Sequence, residues 1–320
     1  MERKTRLRIA LALGSLVLTL AVLEIAGRLV VPAPVERKDG FKHDDQLGWV
    51  LPKGERMVWR GRAAQVNSIG FRGSEPIAGA QSILIVGDSS VFGDGVEDGQ
   101  TMSAQLARAL GGQTDVQNGG VPGYTCWQSK IWIDRVQPQF SPDVLVVYNQ
   151  HSDYRRASSH DRVIAATQLG WMAHTGVGWL ISHLSLKQRM QANASNLSLD
   201  EYTDCLEDLA AGQLNGGGRV VFVQPISEVD FPSSPFYGQP EPGEHGTRLI
   251  DYQDAMRSVA QAVDATFVDG AATVQAAGLS GDEALIDTVH PTAEGHRALA
   301  QGIASAIRTA GMLGTAAEGR

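Results

Sequence analysis

SILIVGDSSVFG, residues 82–93, decides the architecture of this chain. Ile83 to Val86 would present apolar side chains on both faces of a strand, and the run stops at Gly87-Asp88-Ser89-Ser90. A strand that is apolar on both faces belongs in a parallel sheet covered by helices on each side. Four similar runs lie downstream: DVQNGG (115–120), VLVVYNQ (144–150), RVVFVQP (219–225) and TFVDG (266–270). Each ends in polar or turn-forming residues, and helix-like stretches separate them. Five strands in this alternation predict a three-layer α/β domain with a five-stranded parallel sheet, spanning about residues 81–312. In that architecture ligands gather beyond the carboxyl ends of the strands, so the polar residues there are the place to look for chemistry.

The interval between the third and fourth runs is longer than one crossover helix needs, which predicts a helical insertion over about 156–215. Trp171, Met172, Trp179 and Leu180 give it an apolar stripe. The stripe reads either as ordinary packing onto the core or as an acyl- or sugar-binding lid. Asn193 and Asn196 each begin an N-x-S triplet. Residues 32–80 show little periodicity and read as an irregular segment that lies against the domain and spaces it from a membrane. Residues 313–320 read as a tail.

The membrane enters through residues 1–31. Arg3, Lys4, Arg6 and Arg8 precede an uncharged run from Ile9 to Leu23, and the apolar character continues to Val31 with Glu24 and Arg28 included. Those two lie i, i+4 and can pair on one helix face. The run predicts a transmembrane signal anchor, a cleaved signal peptide being the competing reading. The basic flank would stay cytoplasmic and leave the domain outside, periplasmic or extracellular. The chain carries a net charge of −8, and the first 31 residues hold five basic and two acidic side chains. The remainder is therefore strongly acidic, which argues against a nucleic-acid partner. Cys126 and Cys205 are the only cysteines. They are too few for a disulfide-dense scaffold and read as two thiols or, in an oxidising compartment, as one bridge.

Two motifs carry chemistry. Ser89 follows a buried strand and precedes a helix, which would present its hydroxyl and its backbone N–H at the sheet edge. Gly-Asp-Ser alone also suits a tight turn with a helix cap. Asp287-Thr288-Val289-His290-Pro291 supplies its complement, on a loop leading into the helical pattern TAEGHRALAQGIASAI. An Asp three residues before a His can hold one imidazole nitrogen and aim the other at a serine hydroxyl. His290 would then take the Ser89 proton during attack and return it to the leaving group.

With these blocks in view, the sequence resembles the SGNH (GDSL-like) hydrolase family over roughly residues 80–312. GDSSVFG matches the nucleophile block, NGGVPGYT (118–125) the second block and DTVHP the last. The resemblance implies a flavodoxin-like α/β/α fold and hydrolysis or transfer of O-linked acyl groups, without metal or cofactor. Ser89, Asp287 and His290 take the catalytic positions, and Ser89 and Gly123 lend N–H groups to an oxyanion hole. The anchor and the GFRG segment (70–73) resemble the membrane-attached bacterial branch. The third block departs from the pattern. The family has G-x-N-D, and here Gln150-His151-Ser152-Asp153 falls in that register, with Ser152 at the oxyanion asparagine's place. Asn149 is a substitute candidate and His151 a further donor.

The expected activity is that of a serine esterase cleaving O-acyl esters of a carbohydrate or lipid outside the cytoplasmic membrane. Its partners are an acylated small molecule or glycan and the membrane. The alternatives are an O-acyltransferase with the same triad, or a catalytically weakened binding or assembly protein on the same fold.

Overall fold

All five apolar runs become strands of one parallel sheet: β5 (Ser82–Gly87), β6 (Asp115–Asn118), β7 (Val144–Tyr148), β8 (Arg219–Gln224) and β9 (Thr266–Asp269). Their spatial order is β6-β5-β7-β8-β9, in register from Ile83 beside Val144 to Gly87 beside Tyr148. The fold is described by a computed structural model for residues 3–30, 40–44, 46–155, 175–191, 195–232 and 248–314. Side-chain alternation along the sheet divides the core in two. Leu84, Val86, Leu145, Val147, Val220 and Phe222 face one helical layer, and Ile83, Ile85, Val144, Val146, Val221 and Val223 face the other. The sheet is buried on both faces, which is why its strands read as unbroken apolar runs. The doubly wound order reverses between β5 and β7, and in such sheets ligands gather outside the carboxyl ends at this point.

The helices that position this edge follow their strands directly. α2 (Ser89–Phe92) leaves β5, α3 (Met102–Ala109) follows it, α4 (Cys126–Val136) comes after β6 and α5 (His151–Tyr154) after β7. The long interval contributes α6 (Gly176–Gln191) and α7 (Leu199–Asn215). After β8 come α8 (Leu249–Ala262), then α9 (Gly270–Ala276) and α10 (Gly281–Ala284), and α11 (Ala293–Thr309) closes the domain. The Ser198–Glu201 capping box starts α7, each side chain meeting the other's backbone N–H. Trp171, Met172 and Asn193, and the side chain of Trp179, lie outside the described residues. The stripe that suggested a lid is therefore not described.

One finding differs from the sequence reading, and a second decides between alternatives it left open. The segment expected to be irregular carries two antiparallel hairpins, β1 (Lys42–Asp44) with β2 (Gly48–Val50) and β3 (Arg56–Trp59) with β4 (Arg62–Gln65). Phe41, Leu47, Trp49, Leu51, Met57, Val66 and Phe71 from this segment are buried in the same cluster as the sheet face of Leu84 and Val86. Strands of three or four residues are too short to display a period, so local patterning hid them. The two cysteines are also joined, Cys126 Sγ to Cys205 Sγ, tying the start of α4 to α7 across 79 residues of chain.

At the N-terminus, α1 (Arg3–Val30) is exposed and apolar, with mean hydropathy 2.3 over its most apolar stretch, long enough to cross a membrane. Glu24 and Arg28 pair as their spacing predicts, at 2.7 Å. The same Glu24 carboxylate accepts the Gly176 N–H at 2.6 Å, capping the first turn of α6.

Candidate active site

Ser89 opens α2 at the carboxyl end of β5, half-buried, immediately after the Asp88 cap. Asp88 is 2% exposed and accepts three hydrogen bonds. Oδ1 takes the Ser90 N–H at 3.0 Å, and Oδ2 takes the Ser152 N–H at 3.1 Å and its hydroxyl at 2.9 Å. One carboxylate thus starts the serine helix and fastens it to the turn after β7. The Ser90 hydroxyl donates to Val289 O at 3.1 Å, which draws the histidine loop onto the same turn.

That loop is rigid for a local reason. Asp287 Oδ1 accepts the N–H groups of Val289 and His290, each at 3.0 Å, and Ile286 N–H donates to His290 O at 2.8 Å. The His290 ring then stands between Asp287 and Ser89. Its Nδ1 lies 2.8 and 2.7 Å from the two Asp287 oxygens, and its Nε2 lies 2.8 Å from Ser89 Oγ, across 201 residues of chain. Burial alone would raise the Asp287 carboxyl, but the ring and backbone N–H groups outweigh it and hold it well below the usual carboxylate range. Burial would likewise lower His290, and the Asp287 hydrogen bond and charge, with Asp94 and Asp88 behind them, raise it instead. A neutral imidazole with Nδ1–H on a carboxylate offers Nε2 as a base toward the serine hydroxyl, which is the arrangement acyl transfer uses.

The surrounding loops are packed backbone to backbone. A side chain at Gly120 would put its Cβ 2.3 Å from Phe92 N, so only glycine lets this loop cross the serine helix. Gly123 takes φ = 83°, a left-handed turn that leaves its N–H without an acceptor among the described residues. The Ser89 N–H, at the first position of α2, is likewise unengaged there.

The third block behaves differently from a side-chain oxyanion donor. The one hydroxyl proton of Ser152 goes to Asp88. The Asn149 side-chain amide donates to Ser129 Oγ at 3.0 Å, and the Asn149 backbone carbonyl accepts the Tyr202 hydroxyl at 2.7 Å. The His151 Nε2–H donates to Ile226 O at 3.1 Å. In this geometry all three pin the turn after β7. Among the described residues no cluster of His, Cys, Asp or Glu has the arrangement of a metal site.

Sequence reasoning overlooked Asp88 as a bridge, and three residues besides. Arg72 is buried and donates to the carbonyls of Phe92, Gly93 and Val96 at 2.8, 2.8 and 2.9 Å, and to Asp98 at 2.8 Å, clamping the loop after α2. On that loop Asp94 is 3% exposed, with Oδ2 3.6 Å from His290 Nε2. Trp59, at the end of β3, donates its indole N–H to Asp94 Oδ1 at 2.5 Å. Only the position of Asp94, one residue past GDSSVFG, hinted at its place.

A doubly wound sheet with a serine at its switch point is an architecture that can host acyl-transfer chemistry, and the family match makes the chain an ester-hydrolysing enzyme. The model of the GDSL-like lipase/acylhydrolase family matches residues 85–298, and the chain belongs to that family. No curated protein matches the chain. Among solved structures, the lipase/acylhydrolase from Enterococcus faecalis is 16% identical, covering 72% of this chain and 96% of its own, with a TM-score of 0.50. LAE5, titled an alpha/beta hydrolase enzyme from the metagenome of Lake Arreo, is 17% identical, covering 74% and 98%, with a TM-score of 0.49. Axe2, an acetylxylan esterase from Geobacillus stearothermophilus, is 19% identical, covering 73% and 96%, with a TM-score of 0.46. At 16% identity, the Enterococcus faecalis structure bears on the fold alone.

Proposed function

We propose that this acylhydrolase works through Ser89, His290 and Asp287 on O-acyl esters of carbohydrate or lipid, in a domain held outside the cytoplasmic membrane by α1. The observation that carries the reading is the relay from Asp287 through His290 to Ser89, with 2.7 and 2.8 Å contacts on the two ring nitrogens. Ser89 Oγ attacks the ester carbonyl as its proton passes to His290 Nε2, and the imidazolium returns that proton to the leaving alcohol. Water then attacks the acyl-enzyme with His290 as base. The oxyanion would rest on the N–H groups of Ser89 and Gly123, near the positive end of α2, without a side-chain donor from the third block. The basic residues in the first two turns of α1 (Arg3, Lys4, Arg6 and Arg8) and the Cys126–Cys205 bridge both support the extracytoplasmic placement. They also suit the membrane-attached branch of the family.

Ser89→Ala should abolish p-nitrophenyl acetate hydrolysis while thermal unfolding stays in place, and a fluorophosphonate should label the native enzyme at Ser89. Undiminished hydrolysis by the alanine variant would overturn the triad. Engagement of Ser152 by Asp88 favours a second reading, a weakened binding protein on the same fold. Absence of labelling on folded native protein would select it. A sugar hydroxyl replacing water in the second step gives acyl transfer, which an acyl donor and a glycan acceptor together would reveal.

A further inference from the structure

Two carboxylates flank His290, and the triad uses one. Asp287 holds Nδ1, while Asp94 approaches from the opposite side, its Oδ2 3.6 Å from Nε2. Asp94 is almost fully enclosed, which is a costly place for a carboxylate unless it is held and paired. It is held from outside the sheet. The Trp59 indole N–H fixes Oδ1 at 2.5 Å, Arg60 Nε lies 3.4 Å from Oδ2, and Arg72 clamps the carbonyls on either side of the loop. The remaining oxygen, Oδ2, accepts no hydrogen bond among the described residues and faces the imidazole.

Resting on the triad reading, we propose that Asp94 is a positioning residue whose carboxylate stabilises the His290 imidazolium on its Nε2 side, held for this by the Trp59–Arg60 tip of the β3–β4 hairpin. The imidazolium is the cation formed when the Ser89 proton reaches Nε2. At 3.6 Å, Asp94 is too far to take that proton in a hydrogen bond, so the proton stays available for the leaving alcohol. The carboxylate acts through its charge, in a pocket where water screens it weakly. The β3–β4 hairpin thereby becomes part of the catalytic apparatus.

The other groups around the imidazole leave room for this effect. Asp287 and Asp88 also favour its cation. His151 is lowered by burial, and His296 on α11 is pulled down to about 3 by burial with Arg72 and His290 beside it, so both stay neutral near pH 7. Arg60 partly offsets the Asp94 charge, and Arg72 is engaged with the loop carbonyls and Asp98. Burial raises the Asp94 carboxyl, opposed by His290, Arg60 and the Trp59 N–H.

The test uses the full chain in detergent. Asp94→Asn keeps an acceptor for Trp59 and removes the charge. Without that charge His290 protonates less readily, so the acid limb of kcat/KM should move to lower pH by about one unit. A weaker base should lower kcat roughly three- to tenfold. Fluorophosphonate should still label Ser89. Trp59→Phe, which loosens Asp94 without removing it, should move the limb the same way by less. A limb that stays in place in Asp94→Asn refutes the role, because a purely structural contribution changes yield or stability and not this pH. Should Asp94→Asn fail to fold, the Trp59→Phe limb decides by the same criterion. Failure of native enzyme to label at Ser89 overturns the triad itself, and this role with it.

Discussion

Ser152→Ala separates the two parts Ser152 can play. The family's register puts it at an oxyanion position, whereas its hydroxyl proton is donated to Asp88 Oδ2 at 2.9 Å. Removing the hydroxyl leaves Asp88 with two of its three donors, the N–H groups of Ser90 and Ser152. Asp88 is buried, so loss of one charge-assisted hydrogen bond should cost about 1.5–3 kcal/mol of stability. Turnover should stay within about fivefold of the native value, because both backbone N–H donors remain, against the ~10²–10³ loss expected on removing an oxyanion donor. Urea unfolding gives the first quantity and steady-state hydrolysis of p-nitrophenyl acetate the second. A hundredfold fall in kcat with an unchanged unfolding midpoint would refute the reasoning. It would mean that the hydroxyl leaves Asp88 to serve the transition state.

Asp287→Asn should lower kcat by about 10³–10⁴ at unchanged fold, since an amide facing Nδ1 favours the ring tautomer whose Nε2 already bears a proton. Near-native steady-state rates in that variant would remove Asp287 from the relay. Replacing Cys205 by Ala opens a loop of 79 residues, and the chain-entropy relation puts the loss at about 4.5 kcal/mol. Equilibrium unfolding with and without reductant measures this, and a midpoint that neither the variant nor reduction moves would show that the bridge adds no stability.

The sheet was legible because its signal is local. Ile83–Val86, Val144–Tyr148 and Val220–Val223 are apolar on both faces, and their alternation with helix-like stretches marks a parallel sheet covered on both sides. The hairpins at 42–65 were not legible, because strands of three or four residues carry too little alternation to separate from loop. The site divides in the same way. Asp287 and His290 lie three residues apart and could be read as a pair, and the serine was marked by the strand end before it. Ser152 illustrates the limit: its register was visible, but its hydrogen bond to Asp88 spans 64 residues and depends on how β5 and β7 are paired.

The sequence by itself therefore determined the layered α/β class, the apolar N-terminal helix and the three residues proposed for the relay, all carried by short-range patterns. Only the tertiary structure decided that Cys126 meets Cys205, that Ser152 serves Asp88, and that the Trp59 hairpin grips Asp94 beside His290. Those outcomes depend on loops that pack against one another after distant strands have paired. A period of two or of 3.6 residues carries no record of which loop will be the neighbour.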